Sequence, residues 1–271
     1  MFLLSLLVIA VVLNLAAGQS LPFLVSDALE KYIQNDGAST KQFVALGFGL
    51  GMLASLSPAR LIFRYFSTVV HELGHAFMAG ALLARPKSIR IQPSSSGLAI
   101  YELSPNWGRF RASLVSAAGY PAPSIAAVAA VQAIQMGRST AWAIFSVAVL
   151  SLAIILLIRN VWGIVWTSAV VGGCYFAFDK ISSDVVGGIV AGVAGFLVIN
   201  GIQFAWIQVT LVRKAPGSGV DAESIALFTK LPAKLVAFGH LLVCLGLGYW
   251  AVSLAVYPYW SEISNWVTKL Y

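Results

Sequence analysis

The sequence predicts an all-α polytopic membrane protein of about six to eight transmembrane helices, with a small β-hairpin after one of them. Three observations carry this. Hydrophobic residues make up 59% of the 271-residue chain and charged residues only 10%, where a soluble domain carries about a quarter charged residues. The mean hydropathy is +0.86. The apolar residues are also gathered into runs, several of them near the ~20 residues that a spanning helix needs. Too little polar sequence is left for a soluble domain, so residues 1–271 read as one integral membrane unit.

The runs fall at 2–17, 43–57, 61–84, 113–136, 140–158, 161–178, 184–206 and 235–257. Those at 43–57 and 161–178 are short for a full span. In the first, Ala16-Ala17-Gly18-Gln19 resembles a signal-peptidase site, yet no Lys or Arg precedes it. Residues 1–18 are therefore read as a retained anchor, with a cleaved signal as the alternative. Tyr120, Pro121 and Pro123 fall inside the fourth run and predict an unwound or kinked helix. Such a break exposes backbone groups with which an extended substrate can pair, so Gly119, Tyr120 and Pro121 are candidate substrate-binding residues.

Two polar segments interrupt the apolar pattern. The segment 85–112 contains Arg85, Lys87, Arg90, Arg109 and Arg111. Within it, Ser88 to Gln92 and Gly97 to Leu103 alternate apolar and polar residues around a turn-rich Pro93 to Gly97, which predicts the hairpin. The segment 207–234 runs from a Gly/Ser/Pro loop at Pro216 to Gly219 into a helix start at Asp221-Ala222-Glu223. With eight spans, the basic residues concentrate on the side that holds both segments. The positive-inside rule then makes 207–234 a cytoplasmic loop, the hairpin cytoplasmic too, and places both termini outside.

The net charge of +7 is accounted for by this topology and by anionic lipid headgroups, and no nucleic-acid-binding motif is present. Cys174 and Cys244 lie inside apolar runs and read as packed residues, not as a disulfide or a metal pair. Trp107, Trp162, Trp166, Trp250, Trp260 and Trp266 fall near run ends or loops, as interface anchors do.

The residues that carry chemistry are Val70-His71-Glu72-Leu73-Gly74-His75. Each helical residue advances about 100°, so His71 and His75 lie one turn apart on one face. Two imidazoles so placed can share one Zn²⁺, and Glu72 beside them can act as general base toward water. The chain has three histidines, and this motif uses two. Glu72 is the single acidic residue in its run, where a charge costs about 2.5–3.5 kcal/mol on insertion scales and marks function. A packing cluster held by hydrogen bonds is the bland alternative. Gly74 and Gly80 predict close approach of a neighbouring helix.

The stretch from His71 to Ala76 resembles the site-2-protease class of intramembrane metalloproteases, the M50 family, and most nearly its bacterial M50B-like branch. The resemblance runs from about Val69 to Pro232. It includes Ser88-Ile-Arg-Ile-Gln-Pro-Ser-Ser-Ser-Gly-Leu, Ala118-Gly-Tyr-Pro-Ala-Pro123, Arg159-Asn160-Val-Trp-Gly163, Val220-Asp221-Ala222 and Leu227-Phe-Thr229. It implies one Zn²⁺, held by His71, His75 and a third ligand, with Glu72 catalytic. The broader family takes that ligand from an Asp in a Leu-Asp-Gly motif, which this chain lacks. Asp221 fits the branch pattern, although its loop must fold back to reach the histidines. Asp184, His240 and Asn160 are the alternatives, and Arg159 reads as an interface arginine.

The resemblance implies a zinc-dependent endopeptidase cutting membrane-protein substrates in or near their transmembrane segments, in a bacterial cell membrane. An inactive M50-like scaffold that binds membrane partners is the second reading. A transporter is the third, disfavoured by the absence of paired inverted halves. Oligomeric state is not readable from the sequence.

Overall fold

The computed structural model describes residues 41–102, 108–178 and 180–259. The expected first span at 2–17, its signal-peptide alternative, and Trp107, Trp260 and Trp266 lie outside the described residues. The chain order is α1 (Lys41–Leu56), α2 (Arg60–Ala81), β1 (Arg85–Ile91), β2 (Gly97–Glu102), α3 (Arg109–Ala117), α4 (Pro121–Gln135), α5 (Ser139–Leu156), α6 (Val161–Phe178), α7 (Ser183–Lys214), α8 (Asp221–Thr229) and α9 (Ala233–Val256). The all-α membrane architecture with one hairpin is as expected.

The number of spans is smaller than the apolar runs predict. Among the described residues, α5, α7 and α9 are long and apolar enough to cross a membrane, and up to five spans result if each of two bent pairs counts as one. The pairs explain the difference. The runs at 43–57 and 61–84 become α1 and α2, joined at 102°. Pro58 lacks the N–H that would continue α1, and Ser57 Oγ, 2.9 Å from Ala54 O and 3.2 Å from Ala59 N, satisfies backbone groups at the corner. The run at 113–136 breaks into α3 and α4 at 56°, across Ala118, Gly119 and Tyr120, where the prolines predicted it. The run at 161–178 forms the short apolar helix α6.

α7 is the scaffold of the bundle. Its 32 residues extend about 48 Å at 1.5 Å per residue. Val186, Val190, Ala191, Ala194, Leu197 and Val198 form one core with Val44 and Phe48 of α1, Ala127 and Val131 of α4, and Ala251 and Ala255 of α9. The α1–α7 contact is a glycine seam. A Cβ on Gly51 would lie 2.7 Å from the Gly192 carbonyl carbon, and one on Gly47 2.8 Å from that of Gly188. Only bare backbone permits such an approach, the small-xxx-small pattern of membrane helix pairs.

α2 is inverted relative to a soluble amphipathic helix. Its buried face holds Thr68, Glu72 and His75, while Phe63 and Phe77 are exposed. The polar face receives the hairpin. Arg64 and Thr68 donate to the carbonyls of Ser94 and Ser95, at 2.6 and 2.8 Å, and the Tyr65 hydroxyl donates to that of Pro93. The strands pair antiparallel, Ile91 opposite Gly97 and Ile89 opposite Ala99, with Ile89 and Ile91 buried beneath.

The break between α5 and α6 covers the outer edge of β1. Ile89 N donates to Leu157 O at 2.7 Å, and Arg159 N to Ile89 O at 3.1 Å. The Asn160 amide then imitates a strand residue, accepting from Ile91 N at 2.9 Å and donating to Ile91 O at 2.6 Å. The Arg159 guanidinium donates to the carbonyls of Ile155 and Leu156 and so closes the end of α5. Among the described residues, β2 has no strand partner besides β1.

Candidate metal centre

Two segments remote in sequence converge on one point. α2 supplies His71 and His75, and α8 supplies Asp221. Their ligand atoms form a near-equilateral triangle. His71 Nε2 and His75 Nε2 are 3.1 Å apart, and Asp221 Oδ2 lies 3.4 Å from the first and 3.2 Å from the second. Among the described residues, this is the group of His, Cys, Asp and Glu side chains whose ligand atoms converge.

The donor set fits zinc. Ligand atoms at 2.0–2.1 Å around a tetrahedral ion stand about 3.3 Å from one another, and the three observed edges match that spacing. The surroundings agree. Asp221 Oδ2 is buried yet makes no well-aligned hydrogen bond, because it aims at the shared centre. His75 Nδ1 donates to the Val115 carbonyl at 2.7 Å, which fixes the tautomer and leaves Nε2 a lone pair. Burial alone would raise the Asp221 carboxyl, but His71 and His75 at hydrogen-bonding distance override it and hold the group well below the usual carboxylate range.

Asp221 reaches the helix pair because its loop is preformed. Gly217 and Gly219 have φ of +86° and +75°, in the region that glycine enters without strain. Both of their N–H groups donate, at 2.8 Å each, to the two carboxylate oxygens of Glu223. That clamp delivers the loop to the N-terminus of α8, and α8 packs against α3. The helix start expected at Asp221 is present as α8, and the segment folds back onto the histidines, on the side where the hairpin also lies.

Glu72 is buried on α2 and packed against β2 at Gly97. Gly97 makes the room: a Cβ there would stand 2.6 Å from Glu72 Cγ and 2.7 Å from Cδ. Gly119 does the same for the imidazoles, since its Cβ would lie 2.5 Å from His75 Cε1 and 2.7 Å from His71 Cε1. Gly74 lets the α3–α4 break approach α2, with Ala118 O 2.8 Å from where its Cβ would be, but Gly80 meets nothing within 4 Å. The expected helix contact at Gly80 is absent because it is on the exposed side of α2.

A cavity of about 450 Å³ opens over the donors, lined among others by Thr68, Ser95 to Ala99, Tyr120, Phe204 and the Gly219–Asp221 turn.

A family model described as Peptidase M50B-like matches residues 44–251. The chain belongs to that family. The match spans α1 to α9, so the whole bundle described here is M50B-like and not the motif helix alone. No curated protein and no solved structure was found to match the chain.

The other candidate ligands of this M50B-like protein are placed elsewhere. Asn160 is spent on β1. His240 is buried on α9 with its Nδ1 2.9 Å from Gln208 Oε1. Asp184 sits in the first turn of α7, where the helix dipole favours an acid. Cys244 is buried and Cys174 partly so, both as free thiols. Of the proposed substrate residues, Tyr120 lines the cavity, Gly119 is packed against the imidazoles, and Pro121 opens α4. The contributions of Val115 O and Gly97 had no sequence signal, since a backbone carbonyl carries none and a glycine does not say which side chain it makes room for.

Proposed function

We propose that this protein is a zinc-dependent intramembrane endopeptidase that cuts membrane-protein substrates in or near their transmembrane segments, in a bacterial cell membrane. The single observation that carries the reading is the convergence of His71, His75 and Asp221 beside a buried Glu72. Asp221 supplies the carboxylate whose absence from a Leu-Asp-Gly motif would have favoured an inactive scaffold.

His71, His75 and Asp221 would hold the ion. When bound, zinc supplies Lewis-acid polarisation of a carbonyl and makes water acidic enough to act as a nucleophile near neutral pH. Glu72, packed against Gly97 of β2, takes a proton from the attacking water as its oxygen bonds to the peptide carbon. It then gives that proton to the departing amine nitrogen as the C–N bond breaks. The burial of Glu72 keeps bulk solvent from competing for it.

A helical substrate hides its peptide groups, so it must be extended to be cut. The open edge of β2 favours that reading. Its partner β1 is covered on the far side by Leu157 to Asn160, which leaves β2, running past Glu72, as the edge on which an extended segment can pair.

The test uses the full-length protein in detergent, with metal content and cleavage of a fluorogenic transmembrane peptide as readouts. About one zinc per chain is expected, lost in His71→Ala. Glu72→Gln keeps the zinc and loses about 10³-fold in cleavage. A protein that binds no zinc, or cleavage that survives Glu72→Gln, would sink the proposal.

A further inference from the structure

Behind the metal donors lies a second set of buried polar groups that the reading above leaves unused. It runs from His240 on α9, through Gln208 on α7, to Tyr120 at the α3–α4 break. Gln208 is fully buried, in a long membrane helix where an unsatisfied amide is costly. His240 Nδ1 and Gln208 Oε1 are 2.9 Å apart, so the imidazole N–H donates and the amide oxygen accepts. That contact sets the direction of the amide. Its Nε2 is buried with no well-aligned partner, and the group it lies against is the Tyr120 hydroxyl.

Tyr120 is gripped from several directions. Its ring stacks on His240, centroids 5.4 Å apart and planes at 18°. It meets His71 edge-on, at 4.9 Å and 89°. Its backbone carbonyl accepts from Cys244 Sγ at 3.4 Å. It also lines the cavity over the metal donors. An amide N–H beside a tyrosine hydroxyl offers it no acceptor, so the hydroxyl keeps its own proton to donate elsewhere.

We propose that Tyr120 is a catalytic residue, its hydroxyl donating to the scissile carbonyl oxygen as negative charge develops there, and that Gln208 and His240 are positioning residues that aim it. The inference rests on the peptidase reading. Such a donor is worth most in the transition state and little in the ground state.

The experiment separates those two states by binding. The full-length protein carrying Glu72→Gln, which prevents turnover, is titrated with a transmembrane peptide and with its phosphinic analogue, whose tetrahedral oxygen imitates the developing charge. Adding Tyr120→Phe weakens the phosphinic peptide about 30-fold or more, with the plain peptide and the zinc content unchanged within about twofold. His240→Leu weakens the phosphinic peptide about tenfold, and His240→Asn, which restores an N–H toward Gln208, recovers it. Combining His240→Leu with Tyr120→Phe adds no further loss, because His240 acts through the hydroxyl. Unchanged phosphinic binding in Tyr120→Phe overturns the inference, and so does an equal loss of both peptides, which marks a wall of the site and no more. If the Glu72→Gln protein itself holds no zinc or binds neither peptide, the peptidase reading fails and this inference falls with it.

Discussion

The candidate metal centre and the α1–α7 seam are both built on glycine, for opposite reasons. At the seam, Gly47 and Gly51 have no side chain so that two backbones can touch. At the centre, Gly97 and Gly119 have none so that Glu72 and the two imidazoles can occupy the space. The seam glycines serve packing, which a membrane protein must obtain from close van der Waals approach because lipid is as apolar as its own side chains. The site glycines hold room open for Glu72 and the imidazoles of His71 and His75. One kind of residue thus marks stability in one half of the molecule and chemistry in the other, and substitution to alanine separates the two.

The largest effect is expected at Gly119. An added methyl there overlaps the metal-facing edge of both rings, and His75 cannot turn away without losing Val115 O. Gly119→Ala should lower zinc affinity by about 100-fold, in the range for disturbed ligand orientation. Helicity and monodispersity should be retained. Metal titration with a competing chelator checks it, and wild-type affinity would show that the rings have slack that the packing does not reveal. Gly97→Ala comes next. It displaces Glu72 and leaves the three ligands in place, so zinc content should hold while cleavage falls about 100-fold. Loss of zinc instead would mean that β2 supports the ligands as well as the base.

Much of this was legible in the sequence, and what was not has a physical pattern. The apolar runs located most of the helices, and the alternation at Ser88 to Gln92 located β1, because both are local periodicities. His71, Glu72 and His75 were legible because one helical turn brings them together. Asp221 was not legible in that way. It lies about 150 residues from the pair, and only resemblance to a family pattern singled it out over Asp184, His240 and Asn160. The corner at Pro58 was missed as a cause of fewer spans, since a hydropathy count does not see a 102° bend. Asn160 was read as a candidate ligand although its amide serves as a strand edge. That role depends on β1 arriving beside it from 69 residues away.

Gly51→Ala tests the other half of the comparison, with a smaller expected effect. The added carbon meets backbone, with the Gly192 carbonyl carbon 2.7 Å and Cα 2.9 Å away, so the helices themselves must part. Overpacking of this kind costs about 1–3 kcal/mol. It should appear as a lower unfolding midpoint, with zinc per folded molecule and cleavage per zinc unchanged. The control is Gly49, two residues away on the same helix, where a Cβ meets nothing within 4 Å. Gly49→Ala removes backbone freedom without a clash and should be neutral or stabilising by about 0.5–1 kcal/mol. If both alanines destabilise equally, the seam is not held by close approach. If Gly51→Ala lowers zinc affinity as Gly119→Ala does, the two ends of the bundle are coupled through α7, and the division between packing and chemistry drawn from the glycines is wrong.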